Sequence, residues 1–134
     1  MHSINVILTT IGRPTLGRML DSLLPQLQEQ DYLTVVSDAN HNYSRCCICE
    51  REFKCTVTHI SNPQSLGYWG HGSRNKYQNI LPGDYIMNAD DDDRYVPGAF
   101  DRIREVVTDQ KLYLFKHEHN GRFAWSVTDY VGIN

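Results

Sequence analysis

Residues 90–93 are four consecutive aspartates, set in the stretch YIMNADDDDRYVP. Two unit charges ~4 Å apart in a partly buried site repel by roughly 4 kcal/mol. Such a run therefore needs protons, cations or full solvation. A hard divalent ion answers that need: Mg²⁺ is held by one or two carboxylates while substrate phosphates supply further oxygens, and Mn²⁺ accepts the same ligands. The competing reading is a solvated turn, in which aspartate is favoured by local backbone bonding. The apolar run in front of the aspartates and the proline behind them favour a structured strand end.

Other acidic motifs fit poorly. Counted from Asp90, the fifth and sixth positions are Arg94 and Tyr95, where an EF-hand loop needs an oxygen ligand and a glycine. The chain has neither a G-x-x-x-x-G-K-[ST] phosphate loop nor a G-x-G-x-x-G after its first strand. Cys46, Cys47, Cys49 and Cys55 fall within ten residues, flanked by His41 and His59. Structural zinc sites join two separated pairs, so reduced thiols in the cytosol are the simpler reading. His117 and His119 share a strand face and offer a possible metal ligand, against the plainer reading of an exposed hairpin edge. Tyr68 and Trp69 suit stacking on a base or sugar, or simple packing of their loop.

The elements that must position these residues are legible in the pattern. Residues 4–10, INVILTT, read as a buried first strand. Leu16, Met19, Leu20, Leu23, Leu24 and Leu27 repeat at helical spacing after Pro14, and Pro25 ends or kinks that helix. Strands are expected at 32–37, 55–60 and 84–89, and a short helix within 43–54. A Gly-rich loop at 61–73 leads to a helix at 73–81 with Ser73 as N-cap. A helix at 97–109 opens on Pro97. Strands 111–119 and 122–128 are joined by Asn120-Gly121 as a hairpin. Strands that alternate with helices imply an α/β domain with a mostly parallel sheet. In such a sheet ligands sit beyond the carboxyl ends of the strands, where Thr10, Asp38 and Asp90–Asp93 are expected to converge.

The 134 residues make about one domain, able to bury roughly two-thirds of its unfolded surface. Net charge is −3, and the aspartate run carries −4 of it, leaving the rest near neutral. No basic face points to nucleic acid. No apolar run approaches the ~18 residues of a membrane span, and the N-terminus lacks the basic leader of a secretory signal. The expectation is a cytoplasmic protein.

In motif order the chain resembles the nucleotide-sugar glycosyltransferases of the GT-A fold, most closely family 2. The resemblance covers residues 4–109. INVILTTIGRPTLGRMLDSLLPQ is similar to the family's opening strand, Thr–x–x–Arg–Pro loop and first helix. LTVVSDAN resembles the second strand with its aspartate turn. GYWGHGSRNKYQNI resembles the Gly-rich segment with an Arg-Asn pair. GDYIMNADDDDRYVPGAFDRI resembles the D-x-D strand with its downstream proline. A family aspartate is common where this chain has Ser37.

The resemblance implies a three-layer, Rossmann-like sandwich, with residues 1–109 binding a nucleotide sugar and 110–134 beginning an acceptor-side region that the chain truncates. The family's proline lies seven positions after the first Asp of its D-x-D. Counting back from Pro97 assigns Asp90 to ribose or metal-water contact and Asp92 to direct coordination of Mn²⁺ or Mg²⁺, with Asp91 and Asp93 next in line. Thr10 and the loop to Arg13 wrap the base, Asp38 hydrogen-bonds uracil, and Arg74 lies near the base or phosphates. The implied activity is inverting sugar transfer from a UDP-sugar to a carbohydrate or other hydroxyl acceptor. Asp129 is the candidate general base, with Glu118 second. The alternatives are a nucleotide-sugar-binding fragment without activity, a sugar nucleotidyltransferase (disfavoured because TTIGRPT is poor in glycine), and an acidic calcium-binding or interaction module.

Overall fold

A computed structural model describes residues 2–109 and the backbone of residues 111–112, 118–119, 122–123 and 131–132. By its internal contacts the chain forms two units, Met1–Phe100 and Asp101–Asn134, a division earlier than the boundary expected after residue 109.

The first unit is α/β, built on a four-stranded, all-parallel sheet. Its strands are β1 (Ile4–Thr10), β2 (Tyr32–Ser37), β3 (Thr56–Ser61) and β4 (Tyr85–Asp90), in the order β3-β2-β1-β4. Helices α1 (Leu16–Leu23), α2 (His41–Cys49) and α3 (His71–Tyr77) lie between them in the chain, and α4 (Ala99–Val106) follows β4. The parallel α/β sheet is the one expected from the alternation, and the arrangement is consistent with the Rossmann-like sandwich that the resemblance implies. Every residue of β1 is buried, as suits a central parallel strand covered on both faces. Its one amide side chain, Asn5, is satisfied internally: it donates to the Pro82 carbonyl at 2.8 Å and accepts from the Thr34 hydroxyl at 3.0 Å.

α1 buries Leu16, Met19, Leu20 and Leu23, the i, i+3, i+4, i+7 stripe that the sequence displays. Pro25 cannot continue the helix, and Leu24 closes it. The chain then turns at Asp31, whose buried carboxylate accepts from the Ile4 N–H at 3.0 Å and the Gln28 N–H at 2.8 Å. That one side chain aligns the start of β2 with the start of β1. α1 packs on α2. After β3 the chain crosses back over β2 and β1 to add β4 on the far side. Right-handed crossovers then put α3 on the sheet face opposite α1 and α2.

Element limits differ from the sequence reading in one informative place. The helix expected from Ser73 starts at His71, with a 3₁₀ turn over Tyr68–Gly70 before it and Gly70 in the left-handed region as its N-cap. Ser73 falls inside the helix, buried, with its hydroxyl accepting from Asn62.

In the second unit, β5 (Lys111–Leu112) pairs antiparallel with β8 (Val131–Gly132), and β6 (Glu118–His119) with β7 (Arg122–Phe123). The expected strands 111–119 and 122–128 fall mostly outside the described residues. Among the described residues no helix is long and apolar enough to cross a membrane.

Leu20 is fully buried and Ile80 is 75% exposed. Leu20→Ala is expected to destabilise the protein by roughly 2–5 kcal/mol, and Ile80→Ala to stay within about 0.5 kcal/mol of the parent. Urea unfolding of both variants checks this.

Candidate functional site

The strand order decides where a site can form. β2 and β3 extend the sheet to one side of β1, and β4 to the other. The topological switch therefore lies between β1 and β4, where open α/β sheets hold their ligands. The register pairs Thr9 with Asp90 and Thr10 with Ser37, so Thr10, Asp38 and the aspartate run all emerge at the same edge.

The four aspartates do not act alike. Asp91 is 1% exposed and points back over β1. It accepts from the Thr10 hydroxyl at 2.7 Å, the Ile11 N–H at 3.3 Å and the Arg13 Nε at 2.9 Å, and it forms an ion pair with the Arg13 guanidinium. Its hydrogen bond holds the Arg13 proton more firmly than in a free arginine. The Thr10 hydroxyl in turn accepts from the Gly12 N–H at 2.9 Å. Asp90 and Asp92, on either side, keep side chains 46% and 49% exposed. Asp90 pairs with Arg74, which also reaches the Thr9 hydroxyl at 3.2 Å and the Ala89 carbonyl at 3.3 Å. Asp92 lies 3.4 Å from the other arm of Arg13, and its carbonyl accepts from Arg18 at 3.0 Å. Asp93 closes a turn through its N–H to the Asp90 carbonyl.

The repulsion anticipated within the run is thus met largely by the chain's own arginines. Among the described residues, no group of three or more His, Cys, Asp or Glu side chains is arranged to hold a metal ion. The cysteines likewise form neither a disulfide nor a metal cluster there: Cys46 and Cys49 are exposed, Cys47 and Cys55 buried. Burial pushes the Cys55 thiol up to about 11.

Asp38 sits just past β2 and is buried. Its carboxylate faces the loop after β3, not an open crevice. One oxygen accepts from the Asn62 amide at 2.8 Å and the Leu66 N–H at 2.7 Å; the other accepts from the Ser65 hydroxyl at 2.6 Å and the Gly67 N–H at 3.0 Å. A carboxylate has about four acceptor positions, and all are filled. In this structure the Asp38 carboxylate anchors the loop that follows β3. Asn62 extends the network, donating to Ser73 at 2.9 Å and accepting from the Tyr77 hydroxyl at 2.8 Å. Gly70 packs so closely on the Thr9 side chain that a Cβ there would collide with its hydroxyl.

Thr10, Arg13, Arg74, Asp90 and Asp92 are brought to one edge, and Asp38 stands beside them in another role. Asp129 and His117 lie outside the described residues, as do the side chains of Glu118 and His119. Asn62, Ser65 and Tyr77 are not marked by any functional motif in the sequence, and Ser73 is marked only as a helix cap. Turn chemistry in SNPQSLG is the one signal for Asn62 and Ser65. An open cavity of about 500 Å³ adjoins this edge, lined by Gly12 and residues Asn40 to Tyr43.

Fold and site together define a parallel α/β domain with a polar edge at its switch point, where Arg13 and Arg74 pair with aspartates of the run. Compared with protein-family models, with curated proteins and with solved structures, the chain finds no match.

Burial pushes the Asp38 carboxyl up, but hydrogen bonds from Leu66, Ser65, Gly67 and Asn62 outweigh it and hold it at about 2, below the ordinary 3.8. Because the folded value is the lower one, the stabilisation is complete above about pH 4 and is lost as pH falls towards 2. It amounts to roughly 2 kcal/mol at neutral pH. Asp38→Asn is expected to lose about that much at pH 7 and to flatten the acid limb of the stability curve, read from urea unfolding across pH.

Proposed function

We propose that the chain is a metal-dependent glycosyltransferase, moving a sugar with inversion from a nucleoside diphosphate to a carbohydrate or other hydroxyl acceptor. A UDP-sugar is the donor favoured by the resemblance. The observation that carries this reading is the pair of half-exposed carboxylates, Asp90 and Asp92, flanked by Arg74 and Arg13 at the β1–β4 switch point. Thiols that remain free among the described residues agree with a cytoplasmic setting.

The donor set fits a hard divalent ion. Two carboxylates with open surface match the one or two that Mg²⁺ or Mn²⁺ takes when substrate phosphates complete the shell. Asp92 and Asp90 would hold it. Bound there, the ion would neutralise charge on the departing diphosphate. The protein's own contributions are separate. Asp91 locks the β1–α1 loop against the strand tip, so Arg13 is held beside Asp92. Arg74, 11% exposed and with a buried Nε that lacks a partner in the structure, supplies a fixed positive charge beside Asp90. Fixed charge aimed where negative charge develops is an effective form of transition-state stabilisation. The acceptor proton goes to a carboxylate base, for which Asp129 is proposed first and Glu118 second.

A second reading, an acidic interaction module without nucleotide chemistry, gains from the same ion pairs: Arg13 and Arg74 already balance much of the aspartate charge. A thermal-shift panel separates the two. Mn²⁺ with UDP or GDP is expected to raise the melting temperature where neither component alone does. Asp92→Ala is expected to abolish that gain and Asp129→Ala to leave it intact. A rise with Mn²⁺ or Ca²⁺ alone, unaltered by nucleotide, would favour the interaction module.

A further inference from the structure

We propose that Tyr68 and Trp69 form the stacking platform for the nucleobase of the donor, taking the part that Asp38 is not free to play. This rests on the donor-binding reading above. Tyr68 is 77% exposed and Trp69 90%, in a domain whose other large apolar side chains mostly line its core. Both also adopt the left-handed backbone region, at φ 55° and 51°. Two successive bulky residues there are strained, and such strain persists only where the surroundings enforce it.

The surroundings are identifiable. Gly67, immediately before the pair, donates to Asp38. Gly70, immediately after it, is pressed against Thr9 and donates to the Gly67 carbonyl at 3.3 Å. Arg74, one turn further on, grips Asp90. The two rings therefore sit on a span held at both ends, at the β2 tip by Asp38 and at the β1–β4 switch point by Thr9 and, through Arg74, by Asp90. A loop fixed at both ends, with two flat rings turned to solvent, is organised to receive another flat ring.

A macromolecular partner is a weaker occupant. Two side chains are a small fraction of the ~800 Å² per partner that a stable interface buries. Stacking also has a consequence that hydrogen-bonded reading does not. Every base has a π-face, so selectivity among bases is low. With both Asp38 oxygens engaged, uridine loses the contact that would have favoured it.

The test titrates the full chain and its Trp69→Phe and Trp69→Gly variants with UDP and GDP in Mn²⁺, following tryptophan emission and calorimetric affinity. Phenylalanine keeps a flat face, and glycine keeps the left-handed backbone while removing the ring. Both nucleotides are expected to quench the parent saturably, with dissociation constants within about fivefold of each other. Inorganic pyrophosphate is expected to bind without quenching. Trp69→Phe should bind as the parent does but lose the quench, and Trp69→Gly should weaken both nucleotides by about tenfold. Calorimetric binding with unchanged emission would move the base elsewhere, for example to the cavity beside Tyr43, and overturn the stack while the donor reading stands. So would a Trp69→Gly variant that binds like the parent, or a preference for UDP of about a hundredfold or more. Emission that responds to protein concentration instead of nucleotide would mean that a second copy covers the pair, and also overturns it. Calorimetric silence with both nucleotides removes the donor reading itself, and this inference with it.

Discussion

The buried carboxylate of Asp91 ties the tip of β4 to the loop that leaves β1. It accepts from Thr10, Ile11 and Arg13 within one small volume at 1% exposure. A charge so enclosed is tolerable only when paired and hydrogen-bonded, and here both conditions are met across some eighty residues of sequence. The tie has two effects. It spends one of the four aspartates on architecture, while its neighbours Asp90 and Asp92 stay about half exposed. It also fixes Arg13 beside them. The polar edge of the domain is thus a product of one interior contact.

Asp38 does for the next loop what Asp91 does for the first. Its four hydrogen bonds draw residues 62–67 onto the end of β2, and Asn62, Ser73 and Tyr77 carry the network into α3. The strained turn at Tyr68 and Trp69 exists because both of its ends are held. Two aspartates that look alike in sequence, each just past a strand, are both anchors. Strand ends of a parallel sheet present backbone groups that the ladder no longer pairs. Buried carboxylates satisfy those groups and shape the loops in the same act.

The anchoring also alters the electrostatics inferred from the aspartate run. Four adjacent charges suggested a cation from outside. Arg13 and Arg74 meet much of that demand from within, through partners far apart in the chain. A metal at Asp90 and Asp92 would then share these carboxylates with the arginines and would depend on phosphate oxygens to complete its shell. Such a site would respond to a nucleotide and its metal together.

The alternation of strands and helices was legible in the sequence because each element carries its own period. INVILTT is a short run of mostly apolar, β-favouring residues, and the Leu16, Met19, Leu20, Leu23 stripe is helical. Turn residues and prolines fixed most boundaries to within two or three positions. The start of α3 was misplaced: Ser73 has the chemistry of a cap but falls inside the helix, where its hydroxyl accepts from Asn62, a tertiary contact. What the sequence alone determined was the parallel α/β class and the set of polar residues at strand ends, since both follow from local periodicity and composition. Which aspartate is buried, which arginine answers which carboxylate, and that Asp38 binds a loop were decided only in the tertiary structure. Those choices depend on the strand order β3-β2-β1-β4, which brings residues some eighty positions apart into hydrogen-bonding distance, and no local pattern encodes that proximity.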